Sequence, residues 1–95
     1  MTISRTILLR EAMGETIRDL RLNSGRTLRD VSADAQVSLG YLSELERGQK
    51  EASSEVLSSI ADAFSLSVGE LIRETATLML AYETDTVIPL NRLAA

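Results

Sequence analysis

The sequence predicts an all-α fold: five helices in one compact domain, then a helical extension and a flexible tail. Three observations lead there. Apolar residues recur at helical spacing, as in Met13, Ile17 and Leu20, or Leu28, Val31 and Ala35. Residues that cap helix N-termini precede these stripes, and glycines such as Gly25 and Gly48 sit between or at the ends of them. The chain is 44% hydrophobic yet has only one Phe, two Tyr and no Trp, so its core must be aliphatic, as in small helical bundles.

Helix 1 is expected from about Leu8 to Asn23. Met13, Ile17 and Leu20 face inward, while Glu11, Glu15 and Asp19 form an i, i+4 row of acids on the solvent side. Gly14 inside this helix costs roughly 1 kcal/mol relative to alanine. Helix 2, Leu28 to Ala35, opens on a capping box formed by Thr27 and Asp30. Gln36 and Val37 make a turn, and Ser38 caps helix 3, which runs from Leu39 to about Arg47 with Leu42 and Leu45 inward. Two short helices joined by so few residues must cross steeply. That is a helix-turn-helix, whose second helix can lie in the major groove of double-stranded DNA.

Helix 4 follows from about Ser54 to Phe64, with Val56, Leu57, Ile60, Ala61 and Phe64 as its apolar face. Ser67 and Glu70 form a second capping box for helix 5, with Val68, Leu71 and Ile72 inward. Past Glu74 the helical pattern continues through Ala76, Leu78, Met79, Leu80 and Tyr82, covering more than one face. Such surplus implies a partner. Thr84, Asp85 and Thr86 should break the helix, leaving a mobile tail that contains Pro89.

The absence of cysteine and histidine excludes a disulfide framework, a thiol nucleophile and the common zinc sites; an enzyme is not expected, nor any cofactor or metal. No apolar run is long enough for a membrane span, which implies a cytoplasmic protein with no membrane partner. The net charge of −4 is unusual for a DNA binder, but its distribution is uneven. Residues 1–50 carry eight cations and seven acids, residues 51–95 two cations and seven acids. Arg26, Arg29, Arg47 and Lys50 bracket the helix pair, and local potential outweighs the total.

MGETIRDLRLNSGRTLRDV, VSLGYLSELERG and IADAFSLSVGELI together resemble the Cro/phage-repressor type of helix-turn-helix, the xenobiotic-response-element family of bacterial regulators. The resemblance implies a lambda-repressor-like domain over residues 8–74, with its helix-turn-helix at 27–48. It leaves residues 75–83 as a helical extension for dimerisation and 84–95 as tail. It implies a buried bidentate pair between Arg21 and Glu46; the alternative is two surface charges. It places Ser38, Leu39, Gly40, Tyr41, Ser43 and Glu44 against bases and phosphates. Arg26, Thr27 and Arg29 at helix 2, and Arg47, Gln49 and Lys50 after helix 3, lie beside the sugar-phosphate backbone. Leu28 stands where relatives often have glutamine, so Arg29 is the expected substitute for that phosphate contact. Gln36 stands where glycine is usual, so it either carries a positive φ or turns differently. Gly40 permits close approach to DNA or is simply tolerated at an exposed place. Tyr41 is either a phosphate donor or a partly buried core aromatic.

VSLGYLSELERGQKEASSEVL is similar to one subfamily of these regulators, the actinobacterial activators of Clp-protease genes (ClgR). That implies a homodimeric activator on a near-palindromic operator, with RNA polymerase as a further partner. Leu71, Leu78, Met79 and Tyr82 are the expected dimer residues. Leu93, Ala94 and Ala95 resemble the end of a tag that Clp unfoldases recognise, which implies a degradation signal and Clp protease as degrader. Two other readings stand beside this one: an antitoxin whose C-terminal half wraps a toxin, and a protein-interaction adaptor that has lost DNA binding.

Overall fold

The computed structural model describes residues 7–85, and throughout them the regular structure is helical: α1 Leu9–Asn23, α2 Leu28–Ala35, α3 Leu39–Glu46, α4 Ser54–Ala63 and α5 Val68–Asp85. Local chemistry sets the starts. Thr27 Oγ1 accepts the Asp30 N–H at 3.0 Å while the Asp30 carboxylate accepts the Thr27 N–H at 3.0 Å. Ser67 and Glu70 repeat this reciprocal pair at 3.1 and 2.9 Å, and Ser38 and Ser53 cap α3 and α4 from one side. At α1 the capping residue is Leu8, which offers no side-chain acceptor, so only the return half exists: its N–H donates to Glu11 at 2.9 Å.

The stops share one device. α1 to α4 each end with a left-handed residue flanked by two backbone hydrogen bonds that close the last turn, as Val37 N–H to Ser32 O at 3.1 Å and Gln36 N–H to Ala33 O at 3.3 Å close α2. Gly25 and Gly48 fill this place at φ +70° and +73°, but Gln36 and Ser65 fill it at φ +58° with a Cβ present. Gln36 therefore carries the positive φ, one of the two alternatives its sequence position left open.

Each helix contributes a large side chain with no solvent exposure: Ile17, Val31, Leu42, Ile60 and Leu71. Burial of such a side chain stabilises by about 1.5–3 kcal/mol. Met13, Ala35, Leu45 and Ala61 complete the cluster. The buried polar side chains are satisfied locally. Thr16 donates to Ala12 O at 2.8 Å, and Thr75 donates to Leu71 O at 2.9 Å with its oxygen 3.3 Å from Met13 Sδ. α1 packs on both α3 and α5, and α2 on α3 and α4.

Three expectations for α5 are corrected. Ile72 is 48% exposed and not inward, because the inward stripe runs through Val68, Leu71 and Thr75. Leu71 is wholly buried under α1 and so is not available to a dimer interface. α5 also continues unbroken through Asp85, past the expected break at Thr84. The acid row of α1 is only partly a solvated face: Glu11 is used in capping, and Glu15 is half-buried and accepts the Tyr82 hydroxyl at 2.9 Å. The expected degradation signal, Leu93 to Ala95, lies outside the described residues.

Candidate nucleic-acid interface

α3 is clamped to the domain from behind and bare in front. Behind, Leu42 and Leu45 are buried in the core. α1 crosses so closely at Gly14 that a Cβ there would stand 2.1 Å from the Leu45 carbonyl oxygen and 2.9 Å from that of Glu46. Only glycine permits this approach. Two turns further along α1, Arg21 Nε and Nη2 donate to the two carboxylate oxygens of Glu46 at 2.8 and 3.0 Å, and Nη1 donates to Arg26 O at 3.2 Å. The pair is largely buried, with side-chain exposures of 12% and 5%. The hydrogen bonds to Glu46, helped by its charge, raise the Arg21 pKa above its already high ordinary value, against the opposing effect of burial.

In front, Leu39 and Gly40 are exposed, and no atom outside its own helix and chain neighbours lies within 4 Å of a Cβ built at Gly40. Ser38 heads the helix with its hydroxyl accepting the Tyr41 N–H at 3.1 Å. Ser43 and Glu44, half-buried, lie one turn on. Arg47 is exposed, donates to Ser43 Oγ at 3.0 Å and lies 3.4 Å from Gln49 Oε1. Lys50 is exposed in the following loop, and Arg29 is exposed on α2; neither makes an ion pair among the described residues. Thr27, also exposed, is used as the α2 cap.

Arg26 is placed otherwise than expected, and Tyr41 takes the second of its two alternatives. Arg26 turns away from this surface. It donates to the Ala63 carbonyl at the end of α4, pairs with Asp34, and stacks over the Phe64 ring at 5.4 Å. A cation there satisfies a helix C-terminus and ties α2 to α4. Tyr41 donates a hydrogen bond from its hydroxyl to the Glu51 carbonyl at 3.0 Å, and its half-buried ring packs on the core, so it is the partly buried core aromatic and the chain itself takes up its donor. It braces the loop after α3. Ser65 carries no signal in the sequence for its left-handed backbone; Ile72, expected inward, is exposed, and the signal for that was its helical phase relative to Thr75, obscured because threonine reads as an outward residue.

The surface that remains is one short helix presented at its N-terminal end, with exposed cations from α2 and from the loop behind it. Its apolar, hydroxyl and carboxylate groups can meet base edges, and its cations can meet phosphates. Among the described residues no group of acids could hold a metal ion, and no helix is long and apolar enough to cross a membrane.

A helix-turn-helix family model matches residues 17–71. The transcriptional regulator ClgR of Mycobacterium tuberculosis is 49% identical over 76 residues, covering 80% of this chain and 68% of that protein. The crystal structure of the clp gene regulator ClgR from Corynebacterium glutamicum matches with a TM-score of 0.80 at 42% identity, over 95% of this chain and 90% of that one. The restriction-modification controller protein C.Esp1396I, solved as a tetramer on its natural 35 base-pair operator, matches in fold alone: TM-score 0.72 at 20% identity, over 78% of this chain and 97% of that one.

Proposed function

We propose, from the premise that this chain belongs to the helix-turn-helix transcriptional regulators of the ClgR type, that it binds a near-palindromic operator as a homodimer and activates Clp-protease and other proteostasis genes. Its relatives are regulators of transcription, not enzymes. The observation that carries the DNA-binding part is the bare N-terminal half of α3, with Leu39 and Gly40 exposed in front and the same helix locked to α1 behind. Leu39, Gly40, Ser43 and Glu44 meet base edges: Leu39 a thymine methyl, Glu44 a cytosine amino group. Arg29, Ser38, Arg47, Gln49 and Lys50 hold phosphates, and Thr27 lies at the same edge.

The dimer forms along the outer face of α5, where Ile72 is 48% and Leu80 59% exposed and where Met79 is half-exposed. Two-fold symmetry then sets the recognition helices about 34 Å apart, one turn of DNA. The gene targets and the direction of control rest on the ClgR relatives, and RNA polymerase is the partner that activation requires. Chromatin immunoprecipitation with sequencing, paired with transcript profiling of a deletion strain, tests both. The expected result is binding upstream of clp genes and lower clp transcript without the protein. Binding elsewhere, or higher clp transcript, overturns the assignment.

A further inference from the structure

Leu71, Thr75, Leu78 and Tyr82 recur at spacings of three and four along α5, so they share one face, and that face lies on α1. Leu71 and Thr75 are buried, whereas Leu78 and Tyr82 are half-buried. The outer turns of the helix are thus held less firmly than the inner ones. Among the described residues, the side-chain hydrogen bond that gives them a directional restraint on α1 is the Tyr82 hydroxyl donating to Glu15 Oε2 at 2.9 Å. Glu15 adjoins Gly14, the residue at which α1 touches the α3 backbone. Tyr82 and Glu15 also share a cavity of about 500 Å³ with Glu46 and Arg47 at the C-terminal end of α3. Among the described residues, this charge-assisted hydrogen bond is the side-chain hydrogen bond that ties the outer turns of α5 to α1, and through α1 to the helix that reads DNA.

We propose that Tyr82 and Glu15 are positioning residues that fix the angle of outer α5 against α1, and through it the half-site spacing that the dimer accepts. The inference rests on the dimer reading above. Ten helical residues beyond Thr75 span about 15 Å, so a tilt of about 10° there moves the helix end by about 2–3 Å. That displacement is close to the rise of one base pair, about 3.4 Å. Loss of the bond converts one permitted spacing into several, with no change at the residues that touch bases.

The test is selection from a randomised duplex DNA library by full-length wild type, Tyr82→Phe, Glu15→Ala and Glu15→Gln, with sedimentation and thermal melting of each protein. Glutamine keeps an acceptor, so wild type and Glu15→Gln should recover one dominant spacing. Tyr82→Phe and Glu15→Ala should recover the same half-site sequence at two or more spacings, with discrimination between adjacent spacings reduced about tenfold. If Glu15→Ala does not fold, Tyr82→Phe decides the matter. A dimeric Tyr82→Phe that keeps the single wild-type spacing overturns the inference alone. A wild type that is monomeric and selects isolated half-sites overturns the dimer reading and this inference with it.

Discussion

Arg21 on α1 and Glu46 on α3 form a bidentate ion pair, closed at 2.8 and 3.0 Å and largely shielded from water. Removing one partner leaves a buried charge without its counterion. Arg21→Ala or Glu46→Ala should therefore lower stability by about 3–5 kcal/mol. Replacing both together, as Arg21→Met with Glu46→Leu, should cost far less, because no charge is then stranded. Urea unfolding of the three variants checks this; equal losses in the single and double variants would show that the charges are not coupled.

The glycines at positions 14 and 40 should respond in opposite directions to the same substitution. Gly14→Ala drives a methyl into the Leu45 carbonyl and should cost about 1–3 kcal/mol, despite the better helix propensity of alanine. Gly40→Ala meets open space and should gain up to about 1 kcal/mol. If α3 approaches DNA at Gly40, that stabilised variant should bind operator DNA more weakly. Thermal melts and gel retardation on the same preparations separate the two effects.

Arg47→Ala and Lys50→Ala should each weaken DNA binding evenly across sequences and reduce the slope of log affinity against log salt by about 0.9. Leu39 substitutions should instead change base preference at one position by about 1–3 kcal/mol. Arg26→Ala should lower the melting temperature and leave the salt slope unchanged, because its guanidinium is engaged by Ala63, Asp34 and Phe64. Fluorescence anisotropy over a salt series reads these; an Arg26→Ala slope that falls like that of Arg47→Ala would return Arg26 to the phosphate surface.

For self-association, Ile72→Glu with Leu80→Glu should weaken the dimer by about 2 kcal/mol or more and leave the monomer folded. Leu71→Ala should do the reverse, costing about 2–5 kcal/mol of stability through the core. Sedimentation velocity with circular dichroism distinguishes them, and a dimer unaffected by the double glutamate change would place the interface elsewhere.

Acid should loosen the starts of α2 and α5 first. Hydrogen bonds from the Thr27 backbone and side chain hold the Asp30 carboxyl below its ordinary value of 3.8, and Ser67 does the same for Glu70 below 4.5. A carboxyl depressed on folding contributes stability that is complete above its unfolded pKa and is lost as pH falls through the folded one. The chain has no histidine, so stability should change little from about pH 8 to 6 and decline below about pH 4.5. Asp30→Asn with Glu70→Gln should flatten that decline; an unchanged acid limb in urea titrations would assign it to other carboxyls.

The starts of helices were legible in the sequence because a cap is local: Thr27 with Asp30, Ser38, and Ser67 with Glu70 name their partners within three residues. The phase of α5 was not. Thr75 reads as an outward residue, yet it is buried because its hydroxyl bonds back to Leu71, and this moves the inward stripe from Ile72 to Thr75. Arg26 was misplaced for a related reason, since its partners on α4 are 37 residues away in sequence. The stop at Ser65 carries no glycine to announce it.

The contact at Gly14 has one more consequence. With the backbones of α1 and α3 touching, the reading helix has no freedom to settle by itself into a site of imperfect shape. The protein therefore surrenders little internal entropy on association, since its contact geometry is preorganised before encounter. The strain of any mismatch then falls on the duplex. Sites with flexible steps where the DNA must bend should be preferred over stiff ones carrying the same contacted bases.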